Sequence, residues 1–228
     1  MSSHLTGVKN GWYWAHSYND MQNDWMMHNA QLALFFLVNH GFTRVSASAM
    51  VGNMWAESHM SPGCWEEYTD HPIMTRGYGL VQWTGNVRIP DTDPPQYSGM
   101  NPYIYWCNYD FDPPLDWENN GYLELKRILY ERENNIEFYS RPGTIWPGVG
   151  WTTFSNYGAD ATPETANGYV NDATSMFLYN YLAPADPEAT LANRQFHART
   201  VYHSIKTAPL WLLVKAGCDN SKRRMKRQ

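Results

Sequence analysis

The chain has 228 residues with 17 basic and 22 acidic side chains, a formal net charge of −5. Five of the basic residues lie within 222–228. That leaves 12 basic against 22 acidic residues in 1–221, a net charge of −10 for the body of the protein. An acidic body argues against a nucleic-acid-binding fold, which needs a broad basic face. The length suits one domain with its own core, and 11 Trp, 16 Tyr and 11 Met supply much of its apolar area.

The first residues, the apolar runs and the cysteines give no sign of a signal peptide, a membrane span or a cysteine framework. Residues 1–20 lack the charged and apolar regions of a signal peptide, so we predict none. The longest apolar run, 30–38, is too short to span a bilayer, so we predict no membrane span. The three cysteines, Cys64, Cys107 and Cys218, are widely spaced and form neither a metal motif nor a disulfide framework.

Apolar spacing predicts two helices early in the chain, after an aromatic segment at 1–20 with no clear period. The first covers about 24–39 and ends before Gly41. The second covers about 44–58, and Thr43 is its expected N-cap because a threonine side chain can accept a hydrogen bond from the first turn.

The middle of the chain carries weaker signals. Residues 64–84 are typical of irregular chain with short strands, and the alternation near their end predicts a strand in which Tyr78, Leu80 and Gln82 face one way. Residues 85–116 are interpreted as a long aromatic loop, since six of the 14 prolines lie there.

Three more helices are expected towards the C-terminus. One covers about 121–138, and a Trp- and Gly-rich connection at 141–161 follows it. The next two begin at Thr162 and Asp186. Each of these residues is the expected N-cap of its helix and is followed by a proline at the first helical position. The chain is therefore predicted to be α+β and mostly helical, with a small irregular β region and long aromatic loops.

The best candidate for chemistry lies in the segment GNMWAES at 52–58. Met54 and Glu57 share a helical stripe, which turns Glu57 towards the core, and Glu57 also lies beside the negative end of the helix dipole. Both effects favour the protonated carboxyl that a general acid needs. The alternative is a Glu57 that faces solvent or pairs with Arg76 or Arg88, because charges are rarely buried unless paired.

A second candidate is the segment GYGLVQWT at 77–84. Its glycines allow a ligand to approach the backbone, and a glutamine amide among aromatic rings suits a neutral ligand rich in hydroxyl groups. An ordinary hairpin with core aromatics is the simpler explanation for this segment alone.

Together, the pattern GNMxxES, the following Pro62-Gly63 and GYGLVQWT resemble the phage tail lysozyme family, a branch of the lysozyme-like superfamily that cleaves peptidoglycan glycan strands. The resemblance extends over about 28–205. It implies a lysozyme-like catalytic domain, which we place at 21–208, between an N-terminal aromatic extension at 1–20 and a C-terminal segment at 209–228.

The resemblance also implies roles for particular residues. Glu57 is the expected catalytic general acid. Ser58, Tyr78 and Gln82 fall on cleft motif positions, as groups that orient Glu57 or hold sugar, and we add Trp83 as a ring that binds the glycan. Rings from the two long loops are expected to line or cover the groove, and the alternative is that the loops cover the core or contact other subunits.

Glycosidases usually need a second carboxylate. The candidates are Glu66, Glu67 and Asp70, and we favour Asp70 as the second catalytic residue because an acidic residue lies near this position in comparable sequences. A water molecule held by polar groups is the alternative.

A metal site and a cysteine nucleophile are weaker alternatives. His59, Cys64 and His71 are the best cluster, but no HExxH motif exists and the spacing is generic. A Cys64–His71 pair for an amidase or endopeptidase is equally weak. We predict neither a metal nor another cofactor.

These observations predict a muramidase that hydrolyses the β-1,4 bond between N-acetylmuramic acid and N-acetylglucosamine. A lytic transglycosylase and a catalytically inactive virion component that binds glycan are the alternatives. The expected partners are peptidoglycan strands, with other phage tail proteins as further candidates. The expected location is the virion tail, or the host cytoplasm before release to the wall. The basic tail at 222–228 is either a solvated end or an attachment to anionic wall polymers or membrane surface.

Overall fold

Helices dominate the regular structure of the part of the chain that this computed structural model describes, residues 5–66, 73–136, 138, 145–184 and 186–204. A two-stranded antiparallel sheet comes first, formed by β1 (Thr6–Lys9) and β2 (Trp12–Ala15). The helices that follow are α1 (Asn23–Asn39), α2 (Arg44–Ser58), α3 (Pro102–Tyr109), α4 (Gly121–Glu133), α5 (Trp151–Asn156), α6 (Ala166–Phe177) and α7 (Glu188–Ser204). A 3-10 turn at Tyr18–Asp20 and a π-helical segment at Leu178–Leu182 complete the regular elements. The predicted α+β class with mostly helical content is confirmed.

Helix α2 runs through the centre of the fold and packs against α1, α6 and α7. It begins where the sequence predicted, because the side chain of Thr43 accepts a hydrogen bond of 3.1 Å from the backbone N–H of Ser46. Polar residues of α2 are buried along with the apolar ones, and Asn53 is one of them. The helix is therefore enclosed over most of its length, and its C-terminal end is where Glu57 emerges.

The hairpin of β1 and β2 was not predicted, although its turn carries a local signal. Asn10 and Gly11 form the turn with φ of +53° and +84°, the left-handed pair that a tight hairpin turn requires. Trp12 and Ala15 are completely buried, and the hydroxyl of Ser61 bonds to both the N–H and the carbonyl of Ala15, at 2.8 and 2.6 Å. The described part of the N-terminal extension thus packs on the same core as the helices.

The segment 77–84 differs from the predicted alternating strand. Tyr78 forms isolated bridges with Trp65 and with Trp83, so the chain folds back on itself within this segment. Gln82 has a φ of +55° in the resulting turn. The strand prediction is wrong because the turn replaces the two-residue alternation, and Tyr78 and Gln82 do not share a face.

Helix α3 lies inside the segment that was interpreted as a loop. The side chain of Asn101 caps it by accepting from Ile104, and Pro102 occupies its first turn. Helix α4 ends earlier than predicted because Asn135 adopts a left-handed φ of +51°. Helix α6 begins later than predicted, because a hydrogen-bonded turn of the backbone at 162–165 precedes it.

Most described rings of the two long aromatic segments cover the core. Tyr103, Trp106 and Trp151 are buried in clusters of rings, whereas Tyr97 and Tyr109 are more than half exposed. The expectation that these rings line a groove is therefore wrong for the buried ones, which face the interior.

Candidate active site

Glu57 lies in the last turn of α2 with a side chain that is 20% exposed. Its Oε1 atom lies 2.8 Å from Nη2 of Arg194 on α7. The expectation of an apolar environment is therefore wrong, because the carboxyl is paired. Its partner is Arg194, near the other end of the chain, and not Arg76 or Arg88, which the sequence offered as alternatives. Glu57 is thus accessible to water yet held in one orientation.

Arg194 is itself buried, with a side chain only 5% exposed. Its Nε donates to the hydroxyl of Thr190 at 3.0 Å, and its Nη1 lies 3.3 Å from Oδ1 and 3.4 Å from the carbonyl oxygen of Asn53. Contacts with α2 and α7 therefore hold the guanidinium in place independently of Glu57. A planar guanidinium held in this way sets the direction of the Glu57 carboxyl.

Ser58 connects the same helix end to the segment 77–84. Its side chain is buried, and its hydroxyl proton is shared between the carbonyl oxygens of Met54 at 3.0 Å and Leu80 at 3.2 Å. A buried hydroxyl cannot reach a glycan. Of the two roles implied for Ser58, this geometry favours orienting the end of α2.

Gln82 is half-buried, and its amide nitrogen is used inside the protein. Nε2 donates to the carbonyl oxygens of Gly79 at 2.8 Å and Cys64 at 3.2 Å. The amide therefore fixes the turn at 79–82 and anchors it to the chain that follows α2. Gln82 is the one proposed glycan ligand of the segment 77–84 that keeps a partly exposed side chain.

Tyr78 and Trp83 are both buried, at 1% and 6% exposure. The hydroxyl of Tyr78 accepts from the N–H of Asn119 at 2.7 Å, and the indole N–H of Trp83 donates to Glu131 at 2.9 Å. Neither ring offers a face on which a sugar could stack. This geometry does not support the expected sugar contacts. We propose instead that both rings support the segment 77–84 from the protein interior.

The structure describes only one of the three candidates for a second carboxylate. Asp70 and Glu67 lie outside the described residues, so Asp70 remains a prediction. Glu66 is exposed, and its Oε2 accepts from the N–H of Gly77 at 2.9 Å and lies 3.4 Å from the hydroxyl of Thr84. Glu66 therefore bridges the two ends of the segment 77–84.

A comparison with known protein families shows to which family this chain belongs. The model of a family described as phage tail lysozyme matches residues 28–205, which include most of α1, all of α2 to α7, Glu57 and the segment 77–84. This chain is a member of the phage tail lysozyme family. The match confirms the resemblance found in the sequence and the lysozyme-like α+β fold.

A relative of this chain is Morphogenesis protein 1 of Bacillus phage B103. The two are 30% identical over 165 residues, which make up 70% of this chain and 34% of the relative. The chain thus matches about a third of that protein's length. Family membership indicates a phage-related protein with a lysozyme-like fold. Within the described ranges, no helix combines the length and apolar character needed to cross a bilayer.

Two buried glutamates of α4 were missed by the sequence analysis. Glu124 is completely buried, and its Oε2 accepts from the N–H of Leu80 at 2.6 Å. Glu131 is equally buried and accepts from Trp83, Arg127 and Tyr181. Burial raises the pKa of both carboxyls, and Arg127 opposes the rise in the pKa of Glu131. The signal was present, because residues 124, 128 and 131 share a stripe of the helix.

The alternative sites find no support among the described residues. The described residues contain no group of three His, Cys, Asp or Glu side chains that could hold a metal ion. His71 is not one of the described residues. Burial raises the pKa of the Cys64 thiol to about 12. Since the thiolate is the nucleophilic form, Cys64 is inert near neutral pH.

Proposed function

We propose that this protein is a muramidase that hydrolyses the β-1,4 bond between N-acetylmuramic acid and N-acetylglucosamine, with Glu57 as the general acid. The observation that carries the proposal is a single carboxyl, partly exposed at the end of a buried helix and oriented by a fixed guanidinium. Membership in the phage tail lysozyme family supports the same residue.

The contacts of Glu57 suggest how it works. Arg194 engages Oε1, which leaves Oε2 to face the glycosidic oxygen. Partial exposure lets solvent return a proton to Glu57 in each cycle. Proton transfer to the leaving oxygen then breaks the bond to the sugar C1, through a transition state that resembles an oxocarbenium ion. A water molecule, activated by Asp70 or held by neighbouring polar groups, completes the hydrolysis.

The test compares the wild-type protein with Glu57→Gln on purified peptidoglycan, followed by mass analysis of the products. We expect reducing muramic ends from the wild type and a rate at least about 100-fold lower from the variant, the usual contribution of a general acid. Circular dichroism and melting temperature check that the variant is folded. Equal release of sugar fragments by both folded proteins would refute the role of Glu57.

The same products separate two other functions. Anhydro-muramic ends that disappear in Glu57→Gln indicate a lytic transglycosylase, which uses the same acid without adding water. Binding to peptidoglycan without cleavage indicates a structural or glycan-binding component. The relative's name, which refers to morphogenesis, favours this second candidate over other non-enzymatic roles.

The biological setting belongs to the proposal as well. A tail enzyme would open the wall during entry and contact other tail proteins, whereas a lysis enzyme would wait in the host cytoplasm until release. Purified virions distinguish the two settings, because only a tail enzyme remains bound to particles after extensive washing.

A further inference from the structure

Glu124 stands out among the buried groups that the proposed mechanism does not use. It lies near the start of α4 and is completely buried. Its Oε2 accepts from the backbone N–H of Leu80 at 2.6 Å, while Oε1 has no hydrogen-bond partner among the described residues. Burial raises the pKa of Glu124 well above its usual value, which favours the neutral carboxyl over the carboxylate.

Leu80 is held from two directions. Glu124 accepts its N–H, and the hydroxyl of Ser58 donates to its carbonyl oxygen at 3.2 Å. Ser58 directly follows Glu57 in the chain, at the end of α2. A single residue of the segment 77–84 therefore connects α4 to the helix end that carries the proposed acid.

Gly79 shows that the approach of Glu124 is built into the segment. Its φ is +78°, and a side-chain carbon at this position would lie 2.5 Å from Oε2 of Glu124. Any larger residue would push the carboxyl away from Leu80. The carbonyl of Gly79 also accepts from the amide of Gln82 at 2.8 Å, so the turn that Glu124 holds is the turn that orients Gln82.

We infer that Glu124 is a positioning residue for glycan cleavage: it clamps the segment 77–84 against α2 and thereby sets the places of Gln82 and Glu57. This inference rests on the proposed function. Glu124 is too deeply buried to touch a glycan, so it acts through Leu80 and Ser58. The hydrogen bond, rather than a charge, is what the clamp requires.

The experiment measures kcat and KM on soluble glycan for the wild type, Glu124→Met and Glu124→Gln. Met has a similar length but cannot accept from Leu80, so we expect kcat to fall about 10- to 100-fold with KM changed less than about 3-fold, as for a slightly misplaced catalytic group. Gln keeps an acceptor without a charge, so we expect its kcat to stay within about 3-fold of the wild type. Hydrogen exchange at the Leu80 amide should be faster in Glu124→Met and protected in Glu124→Gln.

Two controls distinguish this inference from a general loss of stability and from the proposed function. Phe154→Leu removes volume from a buried ring cluster on α5, and its melting temperature serves as the reference for a purely structural change. Glu57→Gln tests the proposed function by itself: if it is fully active, the proposed function fails, and the positioning role fails with it.

The inference is overturned, with the proposed function intact, if Glu57→Gln is inactive while Glu124→Met keeps the kcat of the Phe154→Leu control. It is also overturned if Glu124→Gln loses as much kcat as Glu124→Met. Should Glu124→Met not fold, Ser58→Ala removes the opposite hydrogen bond to Leu80 by deleting one oxygen. An unchanged kcat in that variant overturns the clamp, and a drop of about 10-fold supports it.

Discussion

Arg194 makes four polar contacts with described residues, and one of these contacts is with Glu57. The others join it to Thr190 and to two oxygen atoms of Asn53, so the guanidinium is a fixed part of the contact between α2 and α7. An arginine in this position orients the carboxyl and stabilises the helix contact at once. The two effects can be separated by substitutions that keep or remove its charge.

We predict that Arg194→Met lowers the free energy of unfolding by about 1.5 to 3 kcal/mol, since it leaves buried acceptors without a charged donor. Arg194→Lys keeps the charge but loses the planar fork, so kcat should still fall while stability drops less. Urea unfolding and initial rates on glycan measure the two quantities. Wild-type values of both in Arg194→Met would show that the ion pair has no role.

The raised pKa of Glu124 makes a prediction about pH and stability. The folded protein keeps this proton at pH values where the unfolded chain, with an ordinary pKa of 4.5, has lost it. The native state then binds more protons, so the free energy of unfolding decreases as the pH rises above about 4.5. Glu124→Gln removes this contribution, and its stability should fall less steeply as the pH rises above about 4.5. Parallel pH profiles for the two proteins would contradict a neutral Glu124.

At the scale of the elements, local signals explain most of what the sequence predicted. Helix α2 starts and ends as predicted, since Thr43 caps it and a stripe defines its length. Comparable signals are present at Asn10-Gly11 for the hairpin and at Asn101-Pro102 for α3. They were not recognised because the neighbouring aromatic residues and prolines favoured an irregular chain. Local signals cannot predict the pair of Glu57 and Arg194, because the crossing of two distant helices creates it.

The crossing of α2 and α7 depends on Gly52. A side-chain carbon there would lie 2.6 Å from the backbone nitrogen of Ala198, so the two helices touch through their backbones. We predict that Gly52→Ala lowers the free energy of unfolding by about 1 to 3 kcal/mol, although alanine is the better helix former, because the overpacked helices must separate.

Separation of the helices would also move Arg194 away from Glu57, so kcat should fall in Gly52→Ala. Gly168→Ala on α6 is the matched control, since among the described residues no atom outside the backbone of its own helix lies within 4 Å of the added carbon. Chemical unfolding and glycan cleavage of both variants test the prediction. A Gly52→Ala protein as stable and active as the wild type would mean that the crossing adapts without cost.

At the scale of the whole molecule, the candidate site is assembled from distant parts of the chain. Helix α2 supplies Glu57, α7 supplies Arg194, and α4 supports the segment 77–84 from behind. The sequence motifs identified Glu57 and the segment 77–84, whose side chains are partly exposed at Glu57 and Gln82 and buried at Tyr78 and Trp83. The stripe of α4 carried a signal for its buried glutamates, whereas the pairing of Arg194 with Glu57 required the packing of the helices.

Charge distribution gives the last prediction. The body, residues 1–221, has a net charge of −10 and the tail at 222–228 carries +5, so the tail should attract anionic wall polymers that the body repels. We predict that deletion of 222–228 lowers binding to whole cell walls, more strongly at low salt, because screening weakens such attraction. Cleavage of soluble glycan should not change, since the tail lies outside the region that matches the family. A variant with the five basic residues replaced by Gln keeps the length and should behave like the deletion. Unchanged wall binding at low salt in both variants would leave the tail without a role in attachment.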